Sequence, residues 1–158
     1  MAADDREKSA ETQLGAINAD DAGFITALED VGMPISDLDA SNGHYFAIMD
    51  AEGQPVGFCG YETLNEETAF IRSCVVPVSF RGRGIGAAMM KALVGRLAAE
   101  GKSGLYLFTM DADPFFEKFG FKIISRDDAP DIVRATSQFS LEECNDAVLM
   151  RRQSAHSL

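Results

Sequence analysis

The 158-residue sequence predicts an α+β fold built on a mixed sheet, and two observations predict it. Three strand-like runs, over 44–49, 56–64 and 68–76, follow one another with only short turns between them, the pattern of an antiparallel meander. The period then changes: Ile85, Met89, Leu93 and Leu97 recur every four positions, as on one face of a helix, and a continuous apolar run over 105–110 follows. Strand 68–76, helix 84–100 and strand 105–110 make one parallel crossover, and a single crossover joined to hairpins gives a mixed sheet.

The remaining elements are read in chain order. Residues 1–12 are polar and acidic, lack the basic and apolar blocks of a signal peptide, and are expected to be a disordered tail. Residues 13–18 make a short first strand. Asp20 or Asp21 caps a helix whose apolar positions are Phe24, Leu28 and Val31, with Gly32 as its stop. A loop over 33–42 leads into the meander, whose turns fall at 50–55 and 65–67. After the crossover helix stops at Gly101, Asp111 or Asp113 is expected to cap a short helix with Pro114 early in it and Gly120 at its end. A strand over 121–124, a helix over 128–136, a last strand over 147–151 and a tail over 152–158 complete a single domain spanning 13–151.

Composition narrows the function. With 14 basic against 25 acidic residues the chain carries a formal charge of −11, which repels nucleic acid and anionic membranes at long range. No apolar run reaches the ~18 residues that a membrane span requires. Cys59, Cys74 and Cys144 are odd in number and form no C-x-x-C pair, so neither a disulfide framework nor a zinc site is expected. Reduced thiols in the cytoplasm are the expectation, with no metal. His44 opens a strand and His156 lies in the tail, and neither has the partners of a hydrolase triad.

The chemistry concentrates between the third meander strand and the crossover helix. Gly82, Gly84 and Gly86 let backbone N–H groups converge on an anion with no side chain in the way. The helix that follows aims its positive end at the same place, and Arg81 and Arg83 add charge. A phosphate or diphosphate fits. A P-loop would need Gly-Lys-Ser/Thr where Ile85-Gly86-Ala87 stands. A dinucleotide fingerprint can be laid on Gly82, Gly84 and Ala87, but it belongs at the start of a series of parallel units, not after a meander. A turn with no ligand is the third reading, and three glycines with two arginines serve a purely structural turn poorly.

The stretch 74–87, Cys-Val-Val-Pro-Val-Ser-Phe-Arg-Gly-Arg-Gly-Ile-Gly-Ala, resembles the signature motif R/Q-x-x-G-x-G/A of the GNAT acetyltransferases with its preceding strand. Phe115-Phe116-Glu117-Lys118-Phe119-Gly120-Phe121 resembles the superfamily's second landmark, F-Y-x-x-x-G-F, at the expected separation. The resemblance covers 44–124 and implies a mixed, mostly antiparallel sheet flanked by helices, with acetyl-CoA as co-substrate. It implies that the main chain of Arg81, Gly82, Arg83, Gly84, Ile85, Gly86 and Ala87 holds the CoA pyrophosphate. Val75 and Val76 would hydrogen-bond the pantetheine, and the short helix from Ala112, with Phe116, would flank its other side.

Acetyl transfer to an amine needs a neutral amine, a donor for the carbonyl oxygen, and an exit for the thiolate, whose ordinary pKa of about 8.5 lets it leave with little help. A backbone N–H near Val76 can be the donor. Where many GNAT enzymes carry a tyrosine acid this chain has Phe116, and where some carry a glutamate base it has Phe70. Tyr61, Tyr106 or water are the substitutes. Glu62 and Arg72 interrupt apolar strands on adjacent hairpin arms: either they form a cross-strand ion pair or face solvent, or Glu62 is a base and Arg72 a clamp for a substrate carboxylate. Thr109, at the end of the apolar strand, either lines the same pocket or merely ends the strand.

Gly60-Tyr61-Glu62, Ile71-Arg72-Ser73, Leu107-Phe108-Thr109, Phe115-Phe116 and the stretch 130–139 together resemble a bacterial group of amino-acid acetyltransferases. That group includes those associated with arsenic-resistance operons and is similar to the catalytic domain of N-acetylglutamate synthases. Its Leu-Cys-Pro element is replaced here by Leu141-Glu142-Glu143-Cys144. Arg134 is a second carboxylate-clamp candidate or a helix-surface arginine. The resemblance implies direct transfer to a small amine, an amino acid or carboxylate-bearing analogue, by a homodimer as the default state. A protein or peptide N-acetyltransferase and a CoA-binding module with little catalysis are the other readings.

Overall fold

The computed structural model describes residues 13–39 and 43–153, so the expected tail over 1–12 and the end of the chain from 154 lie outside the described residues. The elements are β1 (Gly15–Ile17), α1 (Ala22–Asp30), β2 (Gly43–Met49), β3 (Pro55–Thr63), β4 (Thr68–Val75), α2 (Ile85–Ala99), β5 (Gly104–Thr109), α3 (Asp113–Glu117), β6 (Lys122–Ile124), α4 (Asp131–Arg134), α5 (Ser137–Ser140) and β7 (Val148–Gln153). The described residues form one seven-stranded sheet in the order β1-β2-β3-β4-β5-β7-β6. Every neighbouring pair is antiparallel except β4 and β5, which are parallel across the α2 crossover. The α+β, mixed-sheet expectation is met.

Alternation along the strands sets the two faces. Phe46 and Ile48 of β2, Cys59 and Tyr61 of β3, and Ala69 and Ile71 of β4 turn to one face, where Met89, Met90, Leu93 and Leu97 of α2 cover them. Gly57 lets α2 approach closely, because a Cβ there would stand 3.3 Å from Ile85 and 3.4 Å from Met89. The other face carries two smaller clusters. Tyr45, Ala47, Phe58 and Val75 pack under Phe24 and Leu28 of α1, while Phe70, Tyr106 and Leu149 pack under Val133 of α4.

Several local expectations are corrected. Asp21 is the α1 cap, accepting from the Phe24 N–H at 3.0 Å, but Val31 is not a core position: it is the C-cap residue and 38% exposed. Neither Asp111 nor Asp113 caps α3. Its N-cap residue is Ala112, whose N–H donates to Thr109 Oγ1 at 3.0 Å, because the tight turn out of β5 brings that hydroxyl under the helix start. The single helix expected over 128–136 is broken at Pro130 into a 3₁₀ turn (Arg126–Asp128) and α4, and α5 follows where no helix was expected. β7 continues through Arg152 and Gln153, which the sequence assigned to the tail, because both pair with β5.

Candidate functional site

The crossover builds a cleft. β4 pairs with β5 only from Thr68↔Gly104 to Ile71↔Leu107, although β4 runs on to Val75 and β5 to Thr109. Beyond Ile71 the two strands diverge, and among the described residues the β4 edge that faced β5 has no strand neighbour there. Its N–H and C=O groups are free to pair with an extended ligand, as at any open sheet edge. The opening widens into a cleft of about 820 Å³ bounded by the far half of β4, the glycine-rich turn, the first turns of α2, the end of β5, α3, residues Val31–Pro34 and Gln138.

A bulge in β4 decides which side chains enter it. Opposite β3, the register passes from Gly60↔Arg72 to Phe58↔Val75, so three steps on β4 match two on β3. Ser73 absorbs the extra residue with a φ of 62°, a left-handed conformation that non-glycine residues rarely adopt. Phe70 and Arg72 share by ordinary alternation the face that α1 and α4 cover, and the step brings Val75 onto that face as well, while Cys74 and Val76 pack toward α2.

At the start of α2 the predicted turn is a backbone cradle. Gly82 and Gly84 have φ of 82° and 78°, and a Cβ on either would meet nothing within 4 Å. Gly84 is the N-cap of the 15-residue α2, and no side chain caps it, which leaves the first-turn N–H groups facing the cleft unclaimed by any cap. Arg81 donates from Nε to the Val76 carbonyl at 2.7 Å, tying the turn to the end of β4. The Arg83 guanidinium lies 5.5 Å from the Phe80 ring centre. Val75, Val76, Arg81, Gly82, Gly84, Ile85, Gly86, Ala87, Ala112 and Phe116 all line the cleft, and Arg83 alone of the expected cofactor residues does not. Phe116 is buried against Phe115 and Phe121 and presents a ring where a tyrosine would present a hydroxyl. An unpaired strand edge leading to an uncapped helix start fits a long molecule with an anionic end.

Glu62 and Arg72 do meet, as the ion pair that was one of their two readings. Arg72 Nη1 lies 2.9 Å from Glu62 Oε2. The network is larger than the pair: Asp37 grips the same guanidinium with both oxygens, Nη2–Oδ1 at 2.6 Å and Nη1–Oδ2 at 2.8 Å, and Arg72 Nε donates to Ser73 Oγ at 3.1 Å. These bonds engage four of the guanidinium's five N–H groups. Asp37 also accepts from Ser137 Oγ and Gln138 Nε2, so it joins the loop after α1 to β4 and to α5. Burial works to raise the Asp37 pKa, but its bonds from Arg72, Ser137 and Gln138 outweigh that and hold it below the ordinary 3.8. Burial likewise opposes the Arg72 charge, and Asp37 and Glu62 outweigh it, raising its pKa. The buried Tyr45 ring lies beside this cluster, 6.0 Å from the Arg72 guanidinium, and burial pushes its hydroxyl pKa up to about 12.

The other candidates separate. Thr109 lines the cleft while its hydroxyl holds the start of α3. Glu62 is buried behind Arg72 and is not a cleft wall. Tyr61 donates to Glu100 at the far end of α2, and Tyr106 packs beside Phe70, so neither tyrosine reaches the cleft. Arg134 is a helix-surface arginine paired with Asp131 at 3.2 Å. Cys74 lines the cleft, with burial pushing its thiol up to about 12, which keeps it protonated. Sequence reasoning missed Asp37, Ser137 and Gln138. An aspartate in an acidic loop of an acidic chain gives no signal of the buried cation it will meet.

Comparisons with known proteins bear on this arrangement. The model of the family described as "Acetyltransferase (GNAT) family" matches residues 13–121, more than half of the chain. An uncharacterised N-acetyltransferase of Chlorobaculum tepidum is 31% identical over 85 residues, and the match spans 54% of this chain and 54% of that relative, about half the length of each. Among solved structures, a GNAT-family acetyltransferase of Staphylococcus aureus Mu50 superposes with a TM-score of 0.69 at 19% identity, covering 90% of this chain and 98% of that one. N-acetylglutamate synthase of Neisseria gonorrhoeae, complexed with coenzyme A and N-acetyl-glutamate, gives 0.72 at 17% identity over 90% of this chain and 35% of that one. A GNAT-family acetyltransferase of Elizabethkingia anophelis with acetyl-CoA bound gives 0.66 at 17% identity, covering 90% and 98%.

Proposed function

Because this chain belongs to the Acetyltransferase (GNAT) family, we propose that it is an acetyl-CoA-dependent N-acetyltransferase acting on the amine of a small molecule. The observation that carries the reading is the continuity of the cleft: an unpaired β4 edge runs directly into the uncapped, glycine-lined start of α2. When bound, acetyl-CoA supplies an activated acetyl thioester. The backbone of Arg81–Ala87 is assigned to its diphosphate, the edge of Val75 and Val76 to its pantetheine, and Ala112 with Phe116 to the opposite wall. A main-chain N–H on the unpaired stretch of β4 is the donor for the carbonyl oxygen. With both substrates bound, the neutral amine nitrogen attacks the thioester carbon, the C–S bond breaks, coenzyme A leaves as its thiolate, and the proton lost by the amine passes to that thiolate or to water.

The acceptor is read as an amino acid or carboxylate-bearing analogue. Arg72 borders the acceptor side of the cleft and retains one uncommitted N–H on Nη2, which is assigned to the acceptor carboxylate. Glu62 then acts as a positioning residue, holding Arg72 rather than touching the amine, and Thr109 lines the acceptor pocket. Cys59 and Cys74, both without a disulfide, support a reducing cytoplasmic setting, and among the described residues no helix is long and apolar enough to cross a membrane.

Thiol release from acetyl-CoA, measured with α-amino acids and with the matching amines that lack the carboxylate, tests this reading. Turnover is expected on the amino acids, with kcat/KM at least about tenfold lower on the decarboxylated amines, the ~1.4 kcal/mol scale of one charge-assisted hydrogen bond. Equal rates on both sets would remove the carboxylate contact. Bound CoA with no thiol release on any amine or peptide would remove the enzyme.

A further inference from the structure

Ser73 is the one non-glycine residue with a positive φ among the described residues. A glycine would take that conformation without strain, and strain of this kind persists where the side chain itself is needed. Ser73 lines the cleft, and on β4 it stands between Arg72 and the Val75 edge assigned to the pantetheine. Its Oγ accepts from Arg72 Nε at 3.1 Å. A hydroxyl also has a hydrogen to give, and among the described residues nothing accepts the one on Ser73. The fork of the guanidinium fixes where its own free hydrogen lies. Asp37 spans Nη1 and Nη2 and so takes the end of the fork, while Glu62 takes the second hydrogen of Nη1. The hydrogen left on Nη2 therefore runs side by side with the Nε–H that Ser73 accepts. The two uncommitted hydrogens are neighbours, and they differ in access: the Arg72 side chain is 1% exposed, whereas Ser73 is half-buried. A ligand that reaches Arg72 from the cleft meets Ser73 with it. The bond from a cationic donor also polarises the Ser73 O–H and makes it a stronger donor in turn.

We propose that the Ser73 hydroxyl is the second donor to the acceptor's carboxylate, with one carboxylate oxygen held by Arg72 Nη2 and the other by Ser73 Oγ. This rests on the carboxylate reading above and adds to it the residue that makes the contact two-pointed. Two donors side by side match the two acceptor oxygens of a carboxylate. A carboxamide has one oxygen and one NH2 group, so it would set a donor against one of the two donors and leave that pair unsatisfied. The seat therefore selects an acid over its own amide as well as over an amine that lacks the group. A peptide carries an amide at the same place beside its terminal amine, so free amino acids are selected over peptide N-termini.

The test measures kcat/KM for glutamate, methionine and leucine, for their α-carboxamides, and for the matching amines without the α-carboxylate, in wild type and in Ser73→Gly. Glycine takes the bulge conformation without strain and deletes the hydroxyl, so the variant is expected to fold, and a thermal melt verifies it. Wild type is expected to favour the best amino acid over its carboxamide by about 100-fold, since one bond is lost and one donor is opposed. Ser73→Gly is expected to lose about tenfold on that amino acid, with its rate on the plain amine and its KM for acetyl-CoA unchanged. Equal losses on all three classes would assign Ser73 to holding Arg72 alone, and no loss on any class would leave it without a contact. Either result overturns the proposal while the carboxylate reading stands. Carboxamides accepted by wild type as readily as acids would also overturn it. Plain amines accepted as readily as amino acids would overturn the carboxylate reading itself.

Discussion

Gly84→Asp is expected to lose CoA affinity by on the order of 100-fold, about 2.7 kcal/mol, while the protein loses only about 1 kcal/mol of stability. The two effects have opposite electrostatic origins at one position. Gly84 is the N-cap of α2 with a φ of 78°. Aspartate is among the few side chains that tolerate the left-handed region, and a negative charge at a helix N-terminus is favourable. The left-handed backbone still strains any side chain there, and the favourable charge at the helix start offsets part of that strain. The same carboxylate would stand where the diphosphate is assigned, and like charges at about 4 Å repel by several kcal/mol in a partly screened site. Titration calorimetry with CoA, together with a thermal melt, checks both halves. A stable variant that binds CoA normally would place the diphosphate elsewhere.

Arg72→Met is expected to destabilise the protein by about 3–5 kcal/mol, because it strands two carboxylates in a place built for a cation between them. Against a typical total of ~5–15 kcal/mol that is enough to populate the unfolded state. The loss belongs to the stranded charges, not to the missing arginine. Combining Asp37→Asn, Glu62→Gln and Arg72→Met should recover most of the stability, since a buried network replaced as a whole by neutral groups is often close to neutral. Urea unfolding of the single and triple variants measures the difference. The pH dependence has a definite sign. The Asp37 pKa is depressed in the folded protein, so its contribution is fully present above the ordinary carboxylate value of 3.8 and is lost as pH falls through the lower folded value. Wild type should show that acid loss below about pH 4, and Arg72→Met should not.

What the sequence made legible was whatever local chemistry determines. The glycines at 82 and 84 occupy positive-φ positions that glycine accommodates without strain, and the fourfold spacing of Ile85, Met89, Leu93 and Leu97 becomes a helix face on the sheet. The strand–helix–strand order places that turn beside an open strand edge, so the residues that line this half of the cleft could be placed almost one by one. The acceptor half could not. Its character depends on the Ser73 bulge, which brings Val75 onto the face that carries Arg72, and on a contact between Asp37 and Ser137 that spans 100 residues of chain. No periodicity encodes such a contact. Glu62 and Arg72 were visible as charges in apolar strands, but their meaning changed once Asp37 was found on the same guanidinium. The reach of β7 was missed because it depends on a pairing partner distant in the chain, whereas the break at Pro130 is local and follows from the restriction that proline places on the backbone.

The central claim is that one cleft holds the acetyl donor and the amine together and passes the acetyl group directly between them. Initial rates of thiol release, with acetyl-CoA and an α-amino acid varied against each other, test it most directly. Intersecting double-reciprocal lines, with no acetyl group retained on the protein when the amine is withheld, are the predicted result. Parallel lines with an acetylated protein intermediate would contradict it.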